Sequence, residues 1–267
     1  MKKLKVLNAN LTSPFRNFKY KIGKEYTCKD FDDNPNNDCS NGFYATDVEG
    51  LPYSWNINKK CFEVEVSGRQ VIISQYKQRF EKQTIIREVE KDELIELARK
   101  EEKRLGYKLS EVLFPVNPLL FTQREVTEKE IQILKEWASV LETVRASVLE
   151  TVRASVWETV KASAWETVRA SVWETVKASA WETVKALAWE TGWASVWETV
   201  WASVWAYASS LFPGIEKWKY IEHEKGVNPF QSGIDLWRSG FVPSFDGEVW
   251  RLHSGKKAEI VYELKNY

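Results

Sequence analysis

Apolar and acidic residues alternate along Phe62-Glu-Val-Glu-Val, the pattern of a half-buried strand, and the run is broken at Ser67-Gly68. Val71-Ile-Ile and Thr84-Ile-Ile-Arg-Glu-Val predict further strands. From Lys91 to Leu105, Leu94, Ile95, Leu97, Ala98 and Leu105 recur among charged residues, which predicts an amphipathic helix. The stretch between Asp30 and Asn41 is polar and rich in turn formers, so it reads as a loop. Near the other end, Phe245-Asp-Gly marks a turn, and Val249-Trp-Arg-Leu-His and Ala258-Glu-Ile-Val-Tyr-Glu-Leu predict a hairpin across Ser254-Gly-Lys-Lys. These signals divide the chain into an α+β domain at 1–120, a linker with a capping helix at 121–137, and a C-terminal cap region at 210–267. The part between them obeys a different rule.

From Ala138 to Ser209 the sequence is a tandem array of four-residue units: ASVL ETVR ASVL ETVR ASVW ETVK, and onward. Ala and Glu alternate at the first position. Ser or Thr fills the second from Ser139 to Ser203 except at Leu187, and Val or Ala fills the third up to Val204 except at Gly192. A longer period is superposed, with Trp157, Trp165, Trp173, Trp181, Trp189, Trp197 and Trp205 falling eight apart. Such regularity means one structural unit stacked on its own copies.

Two architectures compete for the array. A β-solenoid gives each tetrad one short side of a coil, so that stacking sets Val on Val and Trp on Trp; Val and Thr favour the extended backbone this needs. The eight-residue Trp period keeps register in a 16-residue square coil and not in a triangular one, so the square coil is preferred. The alternative is one long α-helical rod, opened by Thr127-Glu-Lys-Glu as an N-cap with an acidic first turn. On a helix a four-residue period drifts by about 40° per unit, and the Val/Ala stripe then circles the rod without a fixed buried face. The expectation is therefore a mainly β protein: a tetrapeptide-repeat β-solenoid between an α+β domain and a small cap.

Composition sharpens this in three places. Nine of the 14 Trp fall in the array, which makes it the candidate binding surface. Lys plus Arg (38) equals Asp plus Glu (38), so no global field draws the chain to nucleic acid or anionic lipid. Within the array Glu outnumbers the basic residues, which also argues against nucleic acid. Cys28, Cys39 and Cys61 match no zinc spacing; an odd count without a secretory leader reads as reduced thiols and a cytoplasmic setting, with a Cys28–Cys39 disulfide as the minority alternative. No apolar run reaches the ~20 residues of a membrane helix.

Little else carries chemistry. His223 lies between Glu222 and Glu224, an arrangement that is more often a solvated surface than a metal or acid–base site. No phosphate loop or nucleophile elbow is present. Gly42-Phe-Tyr-Ala-Thr-Asp with Glu63-Val-Glu65 resembles the nicotinamide pocket and catalytic carboxylate of ADP-ribosyltransferases, but strand alternation alone accounts for both glutamates.

Two further resemblances cover more of the chain. Gly42-Phe-Tyr-Ala-Thr-Asp and Cys61-Phe-Glu-Val-Glu-Val-Ser-Gly resemble an uncharacterised domain of bacteriophage and bacterial proteins. Its usual element is Gly-Phe-His-Ala-Cys, with Tyr44 and Thr46 here at the His and Cys positions. Trp218-Lys-Tyr-Ile-Glu-His-Glu, Val242-Pro-Ser-Phe-Asp-Gly and Trp250-Arg-Leu-His resemble a tail that follows Ser-Val tetrad arrays in phage and metagenomic sequences. These resemblances imply a phage or bacterial source, cytoplasmic or virion-associated, and no established activity. The expected function is that of a non-enzymatic structural or interaction repeat protein. Its seven Trp either stack for stability or meet a protein or glycan partner, with self-association open and no cofactor, metal, nucleic acid or membrane involved. An enzymatic N-terminal domain binding a nucleotide is the alternative.

Overall fold

The computed structural model describes residues 1–56, 58–74, 76–144, 154, 180–186, 193–218 and 221–264. It divides into two compact units, Met1–Phe114 and Pro115–Tyr267.

In the first unit five strands, β1 (Lys2–Asn8), β2 (Glu25–Thr27), β3 (Phe43–Ala45), β4 (Lys59–Ser74) and β5 (Lys77–Glu88), form one antiparallel sheet in the order β1-β4-β5-β2, with β3 also on β5. A bridge between Leu4 and Thr46 brings β3 back to β1, so the sheet curls on itself around Leu7, Phe62, Val64, Val66, Phe80 and Ile85. Every second residue of β4 from Phe62 to Val66 is buried, as its alternation requires. Ser67-Gly68 does not end the strand. The register shifts between Ser67 and Gln70 and the same strand runs on to Ser74, so the small polar pair marks a bulge. Helix α1 spans Lys91–Leu105, the boundaries its charge pattern predicts, with Leu94 and Ala98 buried. A short helix, α2 (Leu109–Leu113), follows, and its terminal Leu113 carbonyl accepts from the Trp55 indole at 2.8 Å.

The second unit contains α3 (Glu128–Val144), α4 (Trp193–Ser209) and α5 (Gln231–Arg238), with a three-stranded sheet β6 (Val242–Phe245), β7 (Trp250–Ser254) and β8 (Glu259–Leu264) in sequential order. Thr127 caps α3: its N–H donates to Glu130 at 3.0 Å, and Glu130 also takes Arg124 at 2.8 Å. That is the carboxylate half of a capping box, in which the third helical residue reaches back to the N–H ahead of the helix, and the Thr127 hydroxyl donates to the same carboxylate. The C-terminal sheet packs on α4 through β6, where the Phe245 N–H donates to the Thr199 hydroxyl oxygen at 3.0 Å. Pro243 sits on edge strand β6, where a missing N–H costs no ladder bond.

The expected β-solenoid is not formed: every described residue of the array, 138–144, 154, 180–186 and 193–209, is helical. The drift that counted against a helix is absorbed by changing which slot is buried. Along α4 the buried residues are Val196 and Val200 from the third slot, then Ser203 and Val204, then Tyr207 from the second slot. That is one helical face read every three or four residues. Ala202, Ala206 and Ala208 are buried as well, so the last two turns are enclosed nearly all round and no fixed stripe is needed. The Ser and Thr of the second slot do not make solenoid corners; Thr143, Thr199 and Ser203 donate to the carbonyl one turn back at 2.9–3.1 Å. One straight rod is excluded too. Trp137 of α3 lies against Gly233 of α5, and Tyr207 of α4 stacks on Trp237 of α5 at 5.8 Å. A single helix would separate Trp137 and Tyr207 by roughly 105 Å, whereas both touch one eight-residue helix.

Candidate functional site

The tryptophans of the array occupy the fourth slot, and three of the seven candidates fall within the described helices. Trp181 is 48% exposed; Lys185 lies 5.9 Å from its ring and pairs with Glu182 at 3.3 Å. Trp197 is 41% exposed and meets Trp201 edge to face, with centroids 5.4 Å apart at 67°. Trp205 is half-buried. Trp157, Trp165, Trp173 and Trp189 lie outside the described residues. An eight-residue step rotates about 80° round a helix, so Trp197 and Trp205 do not share a column. The stacked ladder expected of a solenoid is replaced here by a one-turn pair, Trp197 with Trp201. Glu198, exposed on the next residue of the helix, borders that pair, which gives an aromatic surface with a polar margin.

The Gly42 motif is placed against Arg79, a residue the sequence did not single out. Its guanidinium is fully buried, donates to the Asn37 and Asn34 carbonyls at 2.7 and 2.8 Å, and reaches the Tyr44 hydroxyl at 3.2 Å. Phe31 and Tyr44 face it at 5.8 and 5.9 Å. A Cβ on Gly42, at φ +145°, would lie 2.5 Å from the Arg79 side chain, so only glycine fits. The acidic and amidic oxygens of the 30–41 loop thus gather round an internal cation. Asp32, hydrogen-bonded by Ser40, by the Asn34 N–H and by the Asn37 amide, is held down to about 2. Among the described residues no group of three His, Cys, Asp or Glu is placed to hold a metal ion. Thr46 donates to the Tyr76 carbonyl at 2.7 Å.

The two glutamates of β4 behave as strand alternation requires. Glu63 is engaged by Lys2 at 2.6 Å and Arg87 at 2.9 Å, and Glu65 faces outward. His223 accepts from the Trp218 N–H at Nε2 and donates from Nδ1 to the Glu224 carbonyl, 2.9 and 2.8 Å. Both ring nitrogens are therefore spent on the local turn. His253, by contrast, is wholly buried on β7. Its Nδ1 faces the Ala258 carbonyl at 2.9 Å and must donate, so Nε2, 2.8 Å from Ser244, accepts that hydroxyl. This has the connectivity of a nucleophile, a base and an orienting acceptor, but Ser244 is also fully enclosed and reaches no substrate. The three cysteines are free thiols; Cys61 is buried and its pKa is pushed up to about 12 by desolvation.

No described helix is long and apolar enough to cross a membrane. Residues 1–97 match the family model of a domain of unknown function, DUF7666, a stretch that runs from β1 into α1 and leaves the array and C-terminal sheet outside. No curated protein and no solved structure matches the chain.

Proposed function

We propose that this chain is a non-enzymatic structural protein of phage or bacterial origin that associates with copies of itself through the tryptophan-bearing helices of its array. The observation that carries the reading is the exposure of Trp181 and Trp197 on helices whose opposite faces are packed. Large exposed aromatics mark contact surfaces, because burying them on association returns much of the apolar stabilisation that exposure withholds. A second copy suits this surface because the array is self-similar. From Glu142 to Lys185 each Glu is followed three residues later by Lys or Arg, so each copy carries both signs of charge beside its tryptophans. Lys plus Arg balance Asp plus Glu over the whole chain, and a protein near zero net charge lacks the repulsion that keeps copies apart. The engagement of Glu63 by Lys2 and Arg87 and the enclosure of Ser244 support a non-catalytic role. Free thiols on Cys28, Cys39 and Cys61 support synthesis in a reducing compartment.

Sedimentation velocity over a concentration series tests this. The parent is expected to shift reversibly from monomer to a discrete larger species, and Trp181→Ser with Trp197→Ser to remain monomeric at every concentration. A parent that stays monomeric throughout contradicts self-association and leaves the tryptophans to a different partner, such as a glycan.

A further inference from the structure

Residues 1–24 carry seven basic side chains and no acidic one. The zero balance of the whole chain conceals this excess. At physiological salt, exposed charges more than about 8 Å apart are largely screened from one another, so a local surplus acts on its own. Three of the seven are spent within the first unit: Lys2 on Glu63 at 2.6 Å, Lys3 on Asp47 at 2.6 Å, and Lys5 on the Tyr44 carbonyl at 2.6 Å. The other four, Arg16, Lys19, Lys21 and Lys24, are exposed, and none is in an ion pair with a described residue. Arg16 donates to the Cys39 carbonyl at 2.8 Å, but the adjacent Asp38 is already held by Lys77 at 2.8 Å.

The same stretch presents apolar side chains to solvent. Phe15 is 86% exposed at the tip of a turn closed by the Asn17 N–H on the Ser13 carbonyl at 3.2 Å. Ile22 is 54% exposed on a second turn, closed by the Lys24 N–H on the Lys21 carbonyl at 3.3 Å. Gly23, at φ +77°, supplies the left-handed backbone at the third position of that turn. Between the turns Phe18 is 43% exposed, its ring edge to face with Tyr20, Tyr26 and Phe43 at 4.8 to 6.3 Å. Tyr20 alone of residues 15–25 is buried, so it roots the strip in the core while the rest faces water. Seven residues of chain set Phe15 and Ile22 at most about 25 Å apart. Each apolar tip has cations beside it: Arg16 follows Phe15, and Lys21 and Lys24 flank Ile22.

We propose that this strip is a peripheral contact with an anionic bilayer. Phe15 and Ile22 enter the boundary between headgroups and acyl chains, and Arg16, Lys19, Lys21 and Lys24 meet the lipid phosphates. The anionic surface supplies the counter-charge that the four cations lack, a gain of about fivefold in partitioning for each. Apolar side chains add to this by leaving water, and the two signals together hold a protein that either alone holds only marginally. A single-stranded nucleic acid would answer to the same cations, but its affinity comes from ring faces on which bases stack. Ile22 has no such face, and the Phe18 ring is engaged by edge contacts with three others. A bilayer takes aliphatic and aromatic tips alike. The contact is independent of the self-association proposed above, which uses the array.

Flotation of the full chain with vesicles of equal parts phosphatidylglycerol and phosphatidylcholine tests this, beside vesicles of phosphatidylcholine alone. Binding is expected to the anionic vesicles only, and to be lost at about 1 M salt, where the Debye length shrinks to about 3 Å. Lys19→Gln, Lys21→Gln and Lys24→Gln together should weaken partitioning about a hundredfold. Phe15→Ser with Ile22→Ser should weaken it about tenfold, since two apolar side chains no longer leave water. All five positions are exposed, so both variants should melt with the parent. A labelled oligothymidylate, titrated into the parent at the same salt, should show no saturable binding. Absence of flotation with the anionic vesicles, equal flotation with the neutral ones, partitioning that either variant leaves unchanged, or saturable binding of the oligothymidylate would each overturn the proposal.

Discussion

Burial lowers the His253 pKa to about 4, and the neighbouring Arg251 guanidinium pushes the same way while the Ala258 carbonyl opposes. An unfolded histidine titrates near 6.5, so the linkage has a definite sign. Above about pH 6.5 neither state binds the proton. Between about 6.5 and 4 the unfolded chain binds it first, and stability falls by about 2–3 kcal/mol. Chemical denaturation at pH 7 and 4.5 should show this loss in the parent and a much smaller one in His253→Gln, although the variant starts from a lower value. Equal pH slopes in the two proteins would contradict the placement. Arg79 is the corresponding residue of the first unit. Arg79→Met strips the Asn34 and Asn37 carbonyls of their donor, and breaking a buried charged network typically costs about 3 kcal/mol. Denaturant unfolding should show that loss, with hydrogen exchange accelerating across 32–41. Neither residue was legible beforehand. Arg251 and His253 occupy alternate positions of β7, which reads as a wet face, but all five residues of that strand are buried. Likewise Arg79 looks like an ordinary strand charge until the 30–41 loop folds over it.

Elements were more legible than sites, and for stated reasons. Alternation located β4 and charge spacing located α1, because one face of each is buried and the other wet. The array defeated the same logic. Its period of four belongs neither to a fixed helical face nor to a strand, and the assumption that a helix needs one stripe failed where α4 is enclosed on several sides. Ala and Glu at the first slot were the better guide, since both are strong helix formers. The approach of α3 to α5 gives an element-scale test. A Cβ on Gly233 would lie 2.8 Å from the Trp137 ring, which is completely buried. Gly233 lies within a helix, where alanine ordinarily adds about 1 kcal/mol. Gly233→Ala should nevertheless destabilise by about 2 kcal/mol, because overpacking a filled core costs more than propensity returns. A thermal melt that rises on this substitution would show that the two helices are not held this close.

At the scale of the whole molecule, two features bear on assembly: an uncharged balance and an array whose tryptophans are partly left in water. Trp197 with Trp201 and Trp181 with Lys185 form aromatic surfaces bordered by Glu and Lys, as interfaces commonly are at core and rim. The tail following Ser210, read from sequence as the cap of a solenoid, instead folds as a sheet on α4, so its removal would uncover the helix rather than a strand edge. Self-association is best read between differently labelled chains. Donor-labelled and acceptor-labelled protein, each carrying its dye on a cysteine at Glu248 in a background lacking Cys28, Cys39 and Cys61, should develop energy transfer on mixing. Excess unlabelled parent should abolish the signal by exchange, and the unlabelled Trp181→Ser, Trp197→Ser protein should fail to compete. No transfer at any concentration, or equal competition by parent and double variant, would contradict assembly through the array's tryptophans.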